Sequence, residues 1–101
     1  MESNKIIEII QKAISKIDCT KVCHDGGTLT VLEDSFTTTD NGYDSFVIAG
    51  GLNGRGIWSN YFEALAKMMF QIELRFPNAF VVKIDNDVVD DVFYVTIGIP
   101  N

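Results

Sequence analysis

Large apolar side chains recur at intervals of four and three residues along segment 58–76. Because an α-helix turns by about 100° per residue, side chains at these intervals share one face. Pro77 disfavours helical geometry at the residue before it, so the helix should end at Phe76. A chain with such a helix must cover one side of it with a second layer. The predicted face carries Trp58, Phe62, Leu65, Met69, Ile72 and Phe76, widened by Tyr61 and Met68.

A shorter helix is predicted over residues 4–17. Its apolar residues also follow intervals of three and four, and they are Ile6, Ile10, Ala13, Ile14 and Ile17. Ser3 is the predicted N-cap, because its hydroxyl can accept a hydrogen bond from an unpaired backbone N–H. The β-branched isoleucines lower intrinsic helix propensity, so this helix depends on its packing partner.

Much of the chain between the two helices alternates polar and apolar residues, which is the pattern of half-buried strands. Strands are predicted at 19–24, 28–33 and 43–49, with a glycine-containing turn between the first two. The threonines at 37–39 can extend a strand. Three strands are therefore expected before the long helix.

The C-terminal region is predicted to be a β-hairpin of strands 79–84 and 92–99. Alternation places on one face Phe80, Val82 and Ile84 of the first strand, and Phe93, Val95, Ile97 and Ile99 of the second. Strands joined by short turns run antiparallel, and the helices should cover one face of the sheet. We therefore predict a single α+β domain, 1–101, with about five antiparallel strands and two helices on one face, a two-layer sandwich in the order α-β-β-β-α-β-β.

Fourteen acidic residues against eight basic ones give a net charge of −6. A nucleic-acid-binding protein would show a basic patch, so we expect no direct nucleic-acid partner. An apolar content of 47% excludes intrinsic disorder. The isoleucine-rich N-terminal stretch is interrupted by Glu8, Gln11 and Lys12, which argues against a signal peptide, and no apolar run approaches transmembrane length. These features predict a cytoplasmic protein with no membrane partner.

Two cysteines and the single histidine lie close together as Cys19, Cys23 and His24. A tetrahedral zinc site needs four ligands, and His24 would point to the opposite face of the strand, so we predict no metal site. Strand geometry also separates the cysteines too far for a disulfide and turns His24 away from Asp25. We therefore expect reduced cysteines, no cofactor and no catalytic residue, which predicts a protein that is not an enzyme.

The glycine-rich segment 50–56 follows a predicted strand and leads into the long helix. Backbone N–H groups at such a position attract anions, and Arg55 adds a planar cationic donor. One interpretation is a connection that needs glycine only for positive φ angles. The alternative is a site for a small anionic ligand or nucleotide, formed by Gly51, Asn53, Gly54, Arg55, Gly56 and Trp58.

Four aspartates occur in the predicted hairpin connection, and they are Asp85, Asp87, Asp90 and Asp91. Their spacing begins like a calcium-binding loop, but the positions that need glycine and glutamate hold Asp90 and Thr96. They are interpreted either as a solvated charged turn or as a contact surface for a basic partner.

Phe70 and Leu74 lie one turn apart on the side of the long helix away from its apolar face, with Glu73 on the flank. Monomeric proteins rarely expose two such residues side by side. Either a neighbouring segment or another chain should therefore cover them, and they are predicted partner-binding residues.

Three classes of function follow. The preferred one is an acidic protein-binding module that occupies a basic surface on a partner protein, as inhibitors, immunity proteins and anti-defence proteins of this size and charge do. It includes a homodimer formed through the long helix or an edge strand. The second class is a small-ligand binder using segment 50–56. In the third, the element order, size and acidity resemble the core of the type III secretion chaperones, which implies a dimer that wraps an extended partner.

Overall fold

The computed structural model describes residues 3–17, 29–51, 58–87 and 92–101. A short 3₁₀ helix, Glu33–Ser35, lies between the first two strands. The element order confirms the predicted α-β-β-β-α-β-β succession and the α+β class. The helices and strands are α1 (Ser3–Ile14), β1 (Leu29–Val31), β2 (Thr37–Thr38), β3 (Tyr43–Gly51), α2 (Trp58–Arg75), β4 (Phe80–Asp87) and β5 (Val92–Pro100).

The three strands between the helices differ in part from the predicted ones. The predicted strand 19–24 lies outside the described residues. β2 comes instead from Thr37–Thr38, within the threonine segment that was expected to extend a strand. β1 ends at Val31, two residues before its predicted end, because the chain enters the 3₁₀ helix at Glu33.

All strand pairs are antiparallel, and the order in the sheet is β1-β3-β5-β4. β2 pairs with Asp44 and Ser45 of β3 on the side opposite β5, so β1 and β2 share one edge of the sheet. The other edge is β4, a strand of eight residues. One edge is therefore interrupted by the 3₁₀ helix, whereas the other is continuous.

The core lies between the helices and one face of the sheet. From α1 it includes Ile6, Ile10 and Ile14, as the predicted stripe requires, and α1 contacts both β1 and α2. Burying one aliphatic side chain of this size stabilises the fold by roughly 1.5–3 kcal/mol, so these contacts hold the two layers together. From the sheet the core includes Leu29, Val31, Phe46, Ile48, Phe93, Val95, Ile97 and Ile99.

The buried face of α2 is rotated from the predicted one. Leu65 and Met69 of the predicted face are only partly buried. The predicted face was defined by large apolar residues, whereas the buried face also includes the small residue Ala64. The described side chains of α2 that are buried are Ala64, Met68 and Ile72.

α2 ends at Arg75, one residue before the predicted end. The N–H of Phe76 still donates to the carbonyl of Ile72 at 2.8 Å, and Pro77 follows. Asn78 then adopts a left-handed conformation with φ of 70° in a β-turn that has Pro77 and Asn78 at its centre and is closed by the hydrogen bond from the N–H of Ala79 to the carbonyl of Phe76 at 3.1 Å. This reversal directs the chain into β4.

A β-bulge in β4 overturns the prediction that Phe80, Val82 and Ile84 share one face. The register against β5 shifts between Val81 and Lys83, which leaves Val82 without a partner residue. Phe80 pairs with Gly98 and Ile84 pairs with Val95, and residues 98 and 95 of β5 point to opposite faces. The extra residue of a bulge reverses alternation beyond it. Phe80 therefore lies on the open face of the sheet, and Ile84 lies on the helix-covered face.

Candidate functional site

The residues of the predicted ligand segment fall mainly outside the described part of the chain. Gly51 is the last residue of β3, where it pairs with Val92, and Trp58 is the first residue of α2. The segment between them, with Asn53, Gly54, Arg55 and Gly56, lies outside the described residues. The anionic-ligand site therefore stays a prediction.

The same holds for the cysteine and histidine cluster. Cys19, Cys23, His24 and Asp25 lie outside the described residues. Within the described ranges, no group of three or more histidine, cysteine, aspartate or glutamate side chains is placed to hold a metal ion. None of the residues that the structure describes as buried is polar or charged.

The aspartates assigned to the hairpin connection are divided between strand and connection. Asp85 and Asp87 belong to β4, because this strand extends three residues beyond its predicted end, and Asp90 and Asp91 lie outside the described residues. The carboxylate of Asp85 lies 3.5 Å from the ammonium group of Lys83, and both side chains are more than half exposed. The negative charge of Asp85 is therefore balanced locally by a cation on the same strand.

Phe70 and Leu74, for which the sequence left open a cover by a neighbouring segment or by another chain, are exposed in the structure. They retain 60% and 62% of their accessible surface, whereas Met68 and Ile72 on the same helix retain 1% and 0%. Phe70 lines an open groove of about 500 Å³ between the end of α1 and α2. Other residues that line this groove are Lys16, Ile17, Ala66, Lys67 and Gln71. No segment of the described structure covers the pair.

The β1 edge of the sheet is sealed by a side chain. The Gln11 amide of α1 donates from Nε2 to the carbonyl of Leu29 at 3.1 Å and accepts from the N–H of Val31 at 2.7 Å. One amide group thus reproduces the two bonds that a neighbouring strand would make to this edge. Further along, the Ser35 hydroxyl accepts from the N–H of Val47 at 2.8 Å, between β1 and β2. Polar side chains therefore form hydrogen bonds with backbone groups along this edge.

The β4 edge has no such cover among the described residues. Four of its apolar side chains, Phe80, Val81, Val82 and Ile84, each retain 36–38% of their accessible surface. The Phe80 ring packs over Gly98 and meets the Tyr43 ring edge-on, with 5.1 Å between the ring centres. β4 pairs with β5 on one side only, and the outer edge of a strand of this length with apolar side chains is a site where another strand can add.

A stretch of acidic residues that was not singled out from the sequence runs from the 3₁₀ helix into β3. Residues 29–51 contain four acidic residues and no basic one. Glu33, Asp34 and Asp40 are exposed and Asp44 is half-buried. We call these four residues the acidic edge. The sequence signal for these residues is a stretch of 23 residues, 29–51, that contains no lysine or arginine, whereas the aspartates at 85–91 are more densely spaced.

Comparisons with protein-family models, with curated proteins and with solved structures gave no match. No helix of the described residues combines the length and hydropathy needed to cross a membrane. An α+β sandwich of this kind supports many functions, so function must be argued from these surfaces.

Proposed function

We propose that this chain is a small acidic protein-binding module of the cytoplasm. In this proposal it is of the inhibitor, immunity or anti-defence type and acts without catalysis, by occupying a basic surface on a partner protein. The observation that carries the proposal is the acidic edge. Its four carboxylates form no ion pair with a described residue, whereas Glu63 pairs with Lys67 at 3.1 Å and Asp85 pairs with Lys83.

Unbalanced charge of this kind acts at a distance. A carboxylate that already faces a lysine contributes little external field, but four unpaired carboxylates of one sign attract a basic surface over roughly 8 Å at physiological salt. Such attraction mainly raises the association rate and fixes orientation. Exposed Phe70 and Leu74 of α2 also provide apolar area that a partner could cover.

The test is a variant in which the exposed acidic residues of the edge are neutralised without a change of shape, namely Glu33→Gln, Asp34→Asn and Asp40→Asn. Tagged protein is used to capture partners from the cells in which the chain is native, at low and at high salt, and the captured proteins are quantified by mass spectrometry. We expect one protein with a basic surface to be enriched by the wild type at low salt. Its enrichment should fall at least about tenfold with the variant and at high salt.

A matched control removes the same number of charges from the helices through Glu8→Gln, Glu63→Gln and Glu73→Gln. All three of these side chains are exposed. The control variant should retain the partner, because its changes leave the acidic edge intact. Equal loss in both variants, or enrichment that does not respond to salt, would contradict a role for this surface.

A further inference from the structure

We propose that the β4 edge is a self-complementary dimer interface, in which β4 of one molecule pairs antiparallel with β4 of a second copy about a two-fold axis at Ile84. This inference is independent of the proposed function, because it uses neither the acidic edge nor Phe70 and Leu74. It joins two five-stranded sheets into one continuous sheet. Its supports are the availability of the edge, the charge pattern along it and the faces that its side chains occupy.

The charge pattern selects the register. In an antiparallel pair about a two-fold axis, residues equally far from the axis on the two strands stand opposite each other. An axis at Ile84 therefore places Lys83 opposite Asp85 of the second copy, and the symmetry creates this pair twice. Opposite charges in facing positions stabilise a strand pair, whereas like charges destabilise it.

Pairings with the two-fold axis at a neighbouring residue are less favourable. An axis at Lys83 would place two lysines face to face, and an axis at Asp85 would do the same with two aspartates. An axis at Val82 would fall on the bulge, where this residue has no partner even within its own sheet. Within the regular part of β4 near these charges, Ile84 is thus the position that makes the edge complementary to itself.

The faces are also consistent with this pairing. Ile84 lies opposite Val95 of β5 on the helix-covered face, so two Ile84 side chains would meet beside the two cores. Lys83 and Asp85 lie opposite Thr96 and Tyr94 on the open face, where the cross-strand ion pairs remain close to water. The 38% of the Ile84 surface that is exposed in the single chain would become covered.

The test uses charge variants that separate pairing between molecules from pairing within one. Lys83→Asp makes the edge wholly acidic at these positions, and Asp85→Lys makes it wholly basic. Each variant alone should lose dimer stability by about tenfold or more, because attractive pairs become repulsive. An equimolar mixture of the two should form a heterodimer, since every facing pair then has opposite charges.

The readout is the molar mass by light scattering or sedimentation over a range of concentrations, with circular dichroism as a check on folding. The wild type should reach twice the monomer mass of 11.2 kDa. The double variant Lys83→Asp with Asp85→Lys should recover the dimer, and Phe70→Asp should not affect it. Failure of the mixture to associate would overturn the proposal, as would a wild type that stays monomeric or single variants that dimerise normally. Loss of the dimer in Phe70→Asp would instead assign it to α2.

Discussion

Replacing Gln11 with methionine should destabilise the fold through the β1 edge. The substitution keeps an unbranched side chain of similar length and a high helix propensity, so α1 itself should be little affected. It removes an exposed hydrogen bond from the Gln11 amide to the Ser15 hydroxyl. It also removes two bonds to the backbone of β1, one that the amide donates to the carbonyl of Leu29 and one that it accepts from the N–H of Val31. Both backbone groups then lose the partner that joins α1 to the outer side of β1.

The expected magnitude follows from these two bonds. An intramolecular hydrogen bond contributes a net of about 0.5–1.5 kcal/mol, and a backbone group left without a partner in a buried place costs more. Gln11 is half-buried, so water can replace part of the lost interaction. We therefore expect the free energy of unfolding to fall by about 1–2 kcal/mol. For a domain of this size, the corresponding decrease in Tm is roughly 5–15 °C.

Urea unfolding followed by circular dichroism measures this loss, with Lys12→Met as the matched control. Lys12 is the exposed neighbour of Gln11, and its replacement should change stability by less than about 0.5 kcal/mol. Amide hydrogen exchange at Val31 reports on the edge directly, and it should become faster in Gln11→Met alone. If Gln11→Met were as stable as the control and Val31 exchanged at the wild-type rate, the reasoning about this edge would be refuted.

Three further pairs of substitutions test the packing and the turn after α2. Gly50→Ala should destabilise the fold by about 1–3 kcal/mol, because the added methyl group would lie 2.4 Å from the buried ring of Phe93. Gly98→Ala should cost less, because the Phe80 ring that it meets is partly exposed and can move. Thermal melts of the two variants measure the difference. Ile72→Ala should cost about 2–5 kcal/mol and Leu74→Ala less than about 0.5 kcal/mol in urea titrations, since only the first leaves a cavity. Asn78→Ala should destabilise the fold by about 1 kcal/mol, because alanine disfavours the positive φ of this position. Asn78→Gly should cost almost nothing, because glycine adopts positive φ freely. Equal melting temperatures for the two variants would contradict this reasoning.

Features that depend on local periodicity were predictable from the sequence. The inward residues of β5 alternate without interruption, and Phe93, Val95 and Ile97 are buried as expected. The same is true of the α1 stripe, because every third or fourth position of a helix faces one way whatever it packs against. The same periodicity placed Phe70 and Leu74 away from the apolar face of α2, but it left open whether another segment of the chain covers them.

Features that depend on partners distant in the sequence were not predictable in this way. The bulge in β4 inserts one residue, and an unbroken apolar run from Phe80 to Val82 gives no sign of where alternation reverses. The buried face of α2 similarly depends on where the sheet lies. The register between strands is determined by many contacts together, so a single misplaced residue reassigns every side chain beyond it.

The two edges of the sheet explain why the candidate interaction surfaces lie where they do. In the sequence, Gln11 is a polar residue beside the α1 stripe that interrupts an apolar segment. In the fold the Gln11 amide forms hydrogen bonds with the backbone of β1. The residue that weakens the N-terminal apolar pattern therefore blocks one edge of the sheet from pairing with another strand. β4 has no equivalent residue packed against it among the described residues, and Lys83 and Asp85 pair within the strand. Its open backbone and apolar side chains thus make it the edge at which strand pairing with another molecule costs least.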